Sequence, residues 1–334
     1  MASNSKTDKF LEGIGGFPDL RNNQPARDWA GSSIMLNSAR NALRLLLQTL
    51  QPQALWLPRY ICDSVISAAK RESITIRFYS IGSSLLPTAP DETGDSELIL
   101  YPNYFGVAAE AERAVVNRFG RERVLLDRSQ ALFSNESAAL AEIYSPRKFL
   151  GMPDGGLLRS DVEVTRPTMR HTATAEAISH LSGRIESGSQ YWLDHFRKAE
   201  EVLGDSEPAR ISRTAEYLLS SADLNWASRT RTENFTLLHK ALGPLNRLGR
   251  LLDESPTGPL CYPLLPAHDS QVTQVALAGA GVYCARYWPE VTQRPGTSAF
   301  EREMAERCLA LPCDQRYSAR EMKHIIETVQ SLSK

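Results

Sequence analysis

An aspartate and a lysine in neighbouring segments are the residues of this sequence best suited to chemistry. Asp127 follows the apolar run 124–126, and Lys148 stands in an apolar, glycine-rich stretch that leads to Gly155 and Gly156. The chain has only 8 lysines against 30 arginines, and lysine is usually exposed. A lysine taken out of water in such a segment would be a usable amine nucleophile. Taken singly, Lys148 is explained as a surface residue and Asp127 as a helix cap.

The elements around these residues alternate between two periodicities. Short apolar runs at 54–57, 74–79, 98–101 and 124–126 are separated by stretches with helical spacing. One such stretch starts near residue 38, where Asn37 or Ser38 is a suitable N-cap. Strands that alternate with helices predict a mainly parallel sheet covered by helices.

Three of the apolar runs end in polar or turn-forming residues, at 58–60, 102–104 and 127–130. Open α/β sheets bind their ligands at the carboxyl ends of the strands. We therefore expect these three clusters, which include Tyr60, Asp127 and Gln130, to meet at one crevice.

The rest of the chain predicts three parts. Residues 1–30 form an N-terminal arm that can lie on a partner, residues 31–245 a large domain, and residues 246–334 a smaller α+β domain. The last part is predicted to contain a strand at 275–283 and to end in a helix over 318–332, which Ser318 and Glu321 can cap as a capping box.

Composition limits the classes of function. The 334 residues are 42% hydrophobic and 23% charged, with a net charge of −1, so nothing favours nucleic acid or an anionic membrane as a partner. The sequence has neither an apolar stretch of membrane-spanning length nor a signal-peptide pattern. The five cysteines and six histidines lack metal-ligand spacing, so we predict no metal site. We expect a cytoplasmic protein that acts on small molecules.

Taken together, segments 124–132 and 144–156 resemble a known family. They are similar to the DegT/StrS sugar aminotransferases, pyridoxal 5'-phosphate (PLP) enzymes of fold type I in the aspartate aminotransferase superfamily. That family has an Asp-x-Ala-(His/Gln) strand end, followed by a lysine and a Gly-Gly pair. Segments 36–43, 57–60, 101–106 and 311–318 also resemble it, so the likeness covers most of residues 34–334.

The resemblance implies a fold, an activity and an assembly. The fold would be α/β, PLP fold type I: a large domain with a mainly parallel sheet and helices on both faces, plus a smaller α+β C-terminal domain. The activity would be transfer of an amino group from an amino acid, glutamate in the usual case, to a nucleotide-linked keto-sugar. The active site would lie in a homodimer.

The resemblance also implies roles for single residues. Lys148 would hold PLP as a Schiff base and then act as the general base, and Asp127 would keep the pyridine nitrogen protonated. Gln130 would lie beside the ring or its phenolic oxygen, and Tyr60 would stack on the ring. The phosphate would be held near the start of the first helix, by Ser38, Ala39, Arg40 and Ser145.

The sequence departs from the family at several of these positions. Ala39 and Arg40 replace the usual Gly-Thr, Ser129 replaces an alanine under the ring, and Ser145 precedes the lysine by three residues. A Gly-Tyr-Asn-Tyr-Arg-Met segment near the family's dimer interface has no counterpart. Segment 231–235 resembles a family helix whose polar residues are explained equally by a solvated face or by a packing or substrate role.

Two alternatives to the aminotransferase remain open. One is a PLP enzyme that acts on another carbonyl, such as a sugar dehydratase; because dehydratase relatives carry histidine in place of the lysine, Lys148 argues against that branch. The other is a non-catalytic protein that uses the same fold for binding or regulation.

Overall fold

The computed structural model describes residues 33–90, 92–135, 138–188, 191–252 and 256–333. The predicted arm over 1–30 lies outside the described residues. At the centre is a seven-stranded sheet with the order β1-β7-β6-β5-β4-β2-β3. Its strands are β1 (Ile34–Leu36), β2 (Ala54–Pro58), β3 (Thr75–Tyr79), β4 (Glu97–Pro102), β5 (Val124–Arg128), β6 (Ala141–Tyr144) and β7 (Gly156–Ser160).

The sheet is mainly parallel. Strands β3, β2, β4, β5 and β6 pair in parallel, whereas β7 runs antiparallel to both β6 and β1. A separate antiparallel pair in the C-terminal part consists of β8 (Tyr262–Leu264) and β9 (Leu309–Leu311). The four apolar runs of the sequence are thus β2, β3, β4 and β5, as predicted.

Ten α-helices complete the described part. They are α1 (Ala39–Leu50), α2 (Asp63–Arg71), α3 (Ala109–Phe119), α4 (Ala175–Ser187), α5 (Leu193–Asp205), α6 (Arg213–Ser221), α7 (Leu224–Leu242), α8 (Gln274–Gly279), α9 (Ala299–Arg307) and α10 (Ala319–Leu332). Short 3-10 turns include Pro146–Lys148 and Pro289–Gln293. Within the described residues, no helix has both the length and the apolar character needed to cross a membrane.

Strand β4 shows how helices come to cover both faces of the sheet. Its side chains alternate between faces, so Leu98 and Leu100 join an apolar cluster with α1 and α2. Ile99 and Tyr101 join a second cluster that includes α3, α7 and α10. Burial of both faces confirms the predicted α/β class with helices on each side of a mainly parallel sheet.

Helix boundaries follow their capping residues. Ser38 caps α1 by accepting the backbone N–H of Asn41 at 3.1 Å, and Ser318 caps α10 in a complete capping box with Glu321. Both caps were predicted, because serine hydroxyls satisfy N–H groups that a helix leaves unpaired.

The predicted strand over 275–283 is wrong. This segment begins as helix α8, whose N-cap Thr273 accepts the backbone N–H of Ala276. Its short apolar run buries Leu277 on one helical face while Val275 and Tyr283 stay exposed. A cap and a single buried side chain decide the helix, and neither is visible in the apolar run itself.

The predicted domain division at residues 245 and 246 remains a prediction. Residues from both sides of it share one apolar cluster: Tyr101 and Phe235 lie in the same cluster as Leu311 and Met322. The packing of the C-terminal part against the large sheet is what brings it to the site described next.

Candidate active site

A crevice opens where β4 and β5 end, at the carboxyl edge of the parallel strands. It contains five of the eight residues predicted to hold or use a cofactor: Ala39, Arg40, Asp127, Gln130 and Lys148. Pro102, at the end of β4, and Ser129, just after β5, line the same crevice. The prediction that the strand ends converge is confirmed for two of the three clusters, because β4 and β5 pair in parallel with Pro102 opposite Asp127. It is wrong for the cluster at 58–60, which does not line the crevice.

Asp127 is a carboxylate with a fixed orientation. Its carbonyl oxygen accepts the backbone N–H of Asn103 at 2.9 Å, and its Oδ1 accepts the backbone N–H of Ser129 at 2.9 Å. The residue is half-buried. A negative charge held in this way at a strand end suits a cationic group of a ligand.

The next residue, Arg128, is held by hydrogen bonds on the other face of β5. It is buried and makes two hydrogen bonds to Glu112, Nε to Oε1 at 3.0 Å and Nη2 to Oε2 at 2.8 Å. Burial alone would lower the pKa of Arg128, but the hydrogen bonds and charge of Glu112 outweigh burial and raise it. The charge of Arg128 is thus paired away from the crevice, and the end of β5 is anchored.

Gln130 has a free donor in the crevice. Its Oε1 accepts the backbone N–H of Phe105 at 2.6 Å, which fixes the orientation of the amide. Its Nε2 is buried and has no hydrogen-bond partner within the described residues. A buried donor without a partner is costly and uncommon, so this atom indicates that the crevice receives an acceptor.

Lys148 ends the 3-10 turn that follows β6. Its backbone N–H donates to the carbonyl of Ser145 at 3.2 Å, and its side chain lines the crevice. The residue is exposed, so the expectation that Lys148 is removed from water is wrong for the free protein. The amine lies where solvent and a ligand both reach it.

The glycine pair downstream explains how α1 reaches this lysine. Gly155 has φ +140°, a conformation that side chains disfavour. A methyl group added to Gly156 would lie 2.2 Å from the carbonyl carbon of Ser38. Because only glycine permits this approach, the start of α1 rests directly on the start of β7, beside the Lys148 turn.

The start of α1 presents an anion-binding arrangement. Ala39 and Arg40 line the crevice, and a helix N-terminus attracts negative charge through its free N–H groups. The guanidinium of Arg40 packs against Gly204 of α5, where an added methyl group would lie 2.6 Å from Nη1. Its Nε is buried without a partner within the described residues. Arg40 is thus a second donor available to a ligand.

The fold is identified by comparison with known proteins. No protein-family model matches the sequence, and no curated protein matches it. Solved structures do match. A DegT DnrJ EryC1 StrS aminotransferase from Brucella abortus is 15% identical with a TM-score of 0.60, over 90% of this chain and 86% of that one.

Two further solved structures also match the fold of this chain. PseC of Helicobacter pylori, an aminotransferase involved in the biosynthesis of pseudoaminic acid, is 16% identical with a TM-score of 0.60, over 90% of this chain and 86% of that one. The PLP form of Spr1654 from Streptococcus pneumoniae is 14% identical with a TM-score of 0.60, at the same coverage. The chain has the fold of these three solved aminotransferases. This confirms the predicted fold type I architecture.

Three of the predicted site residues do not line the crevice. Ser38 directs its hydroxyl to the N–H of Asn41 as a helix cap, and Ser145 is buried behind the Lys148 turn. Tyr60 is fully buried and packs against the rings of Tyr104 and Trp288. Burial raises the pKa of Tyr60 well above its ordinary value.

Sequence reasoning missed several residues that line the crevice, among them Cys62 and Trp288. Cys62 precedes α2, and Trp288 precedes the turn Pro289–Gln293 in the C-terminal part. Trp288 is far from the other site residues in sequence, and no spacing links it to them. The Trp288-Pro289 pair is the only local signal, and it indicates a turn rather than a ligand contact.

The Lys148 turn is also held by Arg231 of α7 and by Gln315 of the C-terminal part. The carbonyl of Phe149 accepts hydrogen bonds from Gln315 Nε2 at 2.7 Å and from Arg231 Nη2 at 3.4 Å. Arg231 is buried, donates to the carbonyls of Pro259 and Leu260, and lies over the ring of Phe149 at 4.7 Å. Burial lowers its pKa. Segment 231–235 therefore has the packing role, and the alternative of a solvated face is wrong.

On the opposite flank, the hairpin of α4 and α5 contacts the same turn. Arg147 forms an ion pair with Glu200 of α5, and Gly151 faces the side chain of Leu181 in α4. Within the described residues, no group of three or more histidine, cysteine or acidic side chains could hold a metal ion.

Proposed function

We propose that the protein is a PLP-dependent aminotransferase that moves an amino group from an amino acid, with glutamate as the first candidate, to a nucleotide-linked keto-sugar. One observation carries the proposal: a fixed carboxylate, an accessible amine and two donors without partners meet in one crevice. These groups belong to Asp127, Lys148, Gln130 and Arg40.

The crevice fits PLP group by group. The Asp127 carboxylate would pair with the protonated pyridine nitrogen, and Gln130 Nε2 would donate to an oxygen on the ring. Arg40 and the free N–H groups at the start of α1 would hold the phosphate. Arg40 thus takes over from the threonine hydroxyl that the family usually provides. When bound, PLP supplies an electron sink that stabilises negative charge at the Cα of an amino acid.

The residues of the chain perform the acid–base work. Lys148 Nζ would bind the cofactor covalently in the resting enzyme and, once displaced by the amino donor, would take the proton from the donor Cα. Its exposure at the crevice leaves it free to move between these two positions. Asp127 would hold the proton on the pyridine nitrogen throughout, because Ser129 N–H and the anchored end of β5 keep its carboxylate in place.

Substrate class and assembly are part of the same proposal. The Helicobacter pylori neighbour acts in the biosynthesis of pseudoaminic acid, which favours a keto-sugar acceptor. We propose a homodimer, a large domain over 31–245, a smaller domain over 246–334 and a cytoplasmic location, each on the resemblance and composition described above.

The test is covalent labelling of the purified protein. Incubation with PLP, reduction with borohydride and mass mapping of peptides should place the label on Lys148. Lys148→Ala should lose the label and all turnover, whereas Lys70→Ala, at an exposed lysine of α2, should retain both. Asp127→Ala should keep the fold and lose most of the turnover. A label on another lysine, or none, would refute the assignment.

A second stage separates catalysis from binding. Glutamate should convert the bound cofactor to its amino form, and a panel of nucleotide-linked keto-sugars should restore it with formation of an amino-sugar. Label on Lys148 without either conversion would favour the non-catalytic alternative. Conversion with a different carbonyl compound would favour the other PLP chemistry.

A further inference from the structure

Trp288 is the one aromatic side chain among the residues that line the crevice in the described part of the chain. It belongs to the C-terminal part, whereas Asp127, Gln130 and Lys148 belong to the large sheet. A flat, electron-poor ring placed beside Asp127 and Lys148 would need a flat surface against one of its faces. Tyr60, predicted for that task, is fully buried and does not reach the crevice.

The backbone at Trp288 is held in an unusual conformation. Its φ of 56° and ψ of 55° lie in the left-handed region, which bulky residues rarely adopt. Such a conformation persists only where the surroundings enforce it, and it is concentrated at functional sites. Here it turns the indole toward the crevice just before Pro289 begins a 3-10 turn.

Two aromatic rings support the indole from behind. Trp288 meets Tyr60 edge-on, with ring centroids 4.8 Å apart, and Tyr104 at 6.2 Å. Both tyrosines are fully buried, and the hydroxyl of Tyr104 donates to the carbonyl of Tyr60 at 3.1 Å. The two tyrosine rings are tilted by 34° to each other and Trp288 meets both of them edge-on, and of the three rings only Trp288 lines the crevice.

The segment after Trp288 is fastened to the large sheet as well. Arg294, just past the turn, donates to the carbonyl of Ile61 at 2.7 Å and pairs with Asp63 at the start of α2. This contact locks the C-terminal segment onto the loop that carries Tyr60. The position of Trp288 relative to the large sheet is therefore set by polar contacts as well as by ring packing.

We propose that Trp288 is the aromatic wall against which the cofactor ring binds, and that Tyr60 and Tyr104 hold this wall in place without touching the cofactor. The inference rests on the proposed PLP function and deepens it. Trp288 is 9% exposed, so the part of its electron-rich indole that lines the crevice would contact the protonated pyridine ring, and contacts of this kind stabilise cations over aromatic rings. It also makes the C-terminal part a direct contributor to cofactor binding.

The test compares Trp288→Leu and Trp288→Phe with the matched control Trp226→Leu, since Trp226 lies half-exposed on α7. The PLP dissociation constant and the visible band of the bound cofactor are measured for each. Trp288→Leu should raise the dissociation constant about tenfold or more and shift the band. Trp288→Phe should stay within about threefold of wild type, and Trp226→Leu should change neither quantity.

Indole fluorescence provides a readout that does not depend on the stability of the leucine variant. PLP should quench part of the wild-type emission; Trp288→Phe should lose that part, and Trp226→Phe should keep it. Unchanged affinity and band in folded Trp288→Leu, or unchanged quenching in Trp288→Phe, would overturn the inference while wild type still labels at Lys148. If wild type itself neither binds PLP nor labels at Lys148, the proposed function fails, and the inference fails with it.

Discussion

The turn that carries Lys148 is held from two sides by different kinds of contact. On one side, the buried Arg231 of α7 and the side chain of Gln315 in the C-terminal part donate to the carbonyl of Phe149. On the hairpin side, Arg147 pairs with Glu200 of α5, whose side chain is 41% exposed. The first contact joins a buried and a half-buried donor to a backbone acceptor, and the second joins a largely buried guanidinium to a partly exposed carboxylate.

The difference follows from how much apolar surface each flank buries. The helix α7, which carries Arg231, also buries Phe235, Leu238 and Leu242 in the main core. In contrast, the hairpin of α4 and α5 leaves Ile185 85% exposed and Val202 58% exposed. A flank with few buried apolar contacts opens locally at lower free energy. We therefore expect the contacts of Arg231 and Gln315 with Phe149 to contribute more to the stability of the turn than the ion pair between Arg147 and Glu200.

The largest effect should come from Arg231→Leu. The change removes the guanidinium donor from the buried carbonyl of Pro259 and from the half-buried carbonyl of Leu260, so the free energy of unfolding should fall by about 3 kcal/mol. Urea denaturation measures this loss. Arg197→Leu, at an exposed position of α5, is the control and should change the value little; equal losses in both variants would contradict the comparison.

A smaller effect is expected for Gln315→Leu. It removes the 2.7 Å hydrogen bond to Phe149 and should cost about 1 kcal/mol of stability. The rate at which PLP attaches covalently to Lys148, measured by absorbance, should also fall because the turn loses one of the hydrogen bonds that hold it. The exposed Gln271 gives the control Gln271→Leu, and an unaltered attachment rate in Gln315→Leu would show that the contact does not position the turn.

The hairpin contact should contribute less still. Glu200→Gln replaces the carboxylate that pairs with Arg147, and a partly exposed ion pair contributes less than about 1 kcal/mol. Salt should reduce the difference between wild type and variant, since it screens the pair. Melting temperatures at low and high salt measure both effects, with the exposed neighbour Glu201 changed to Gln as control. A loss as large as that of Arg231→Leu would reverse the ranking of the flanks.

The smallest effect should be a pH dependence of the free energy of unfolding, caused by His180 in the hairpin of α4 and α5. Burial, followed by the charge of Arg147, lowers the pKa of His180 in α4 below its ordinary value. The unfolded chain therefore binds a proton at higher pH than the folded one. The stability is full above about pH 6.5 and falls as the pH drops below that value toward the lowered folded pKa. Melting temperatures from pH 7.5 downwards, at roughly half-unit steps, should show this slope.

The control for that slope is a pair of matched changes. His180→Phe should flatten the dependence, and His324→Phe, at an exposed site on α10, should leave it intact. An identical slope in wild type and His180→Phe would mean that other groups cause it.

Part of this structure follows from local sequence alone. The strands β2 to β5 were predictable because their apolar runs are short and bounded by turn residues, and the starts of α1 and α10 because Ser38 and Ser318 cap them. The crevice was predictable because parallel strands bring their carboxyl ends to one edge. Asp127 and Lys148 could be singled out since both stand in short, recognisable segments.

Other features depend on contacts between distant parts of the chain. The helix α8 replaces a predicted strand because Thr273 caps it and one side chain is buried. Tyr60 turns into the core rather than into the crevice because Tyr104 and Trp288 pack against it. The position of Trp288 and the hydrogen bond from Gln315 to the carbonyl of Phe149 depend on packing of the C-terminal part against the large sheet.

The sequence by itself determined the strands β2 to β5, the starts of α1 and α10, and the residue types at the strand ends, because periodicity and capping act over a few neighbouring residues. The tertiary structure alone decided which of those residues face the crevice. Packing between segments far apart in the chain sets the direction of a side chain, as it does for Tyr60, and brings in residues such as Trp288 that no local pattern connects to the site.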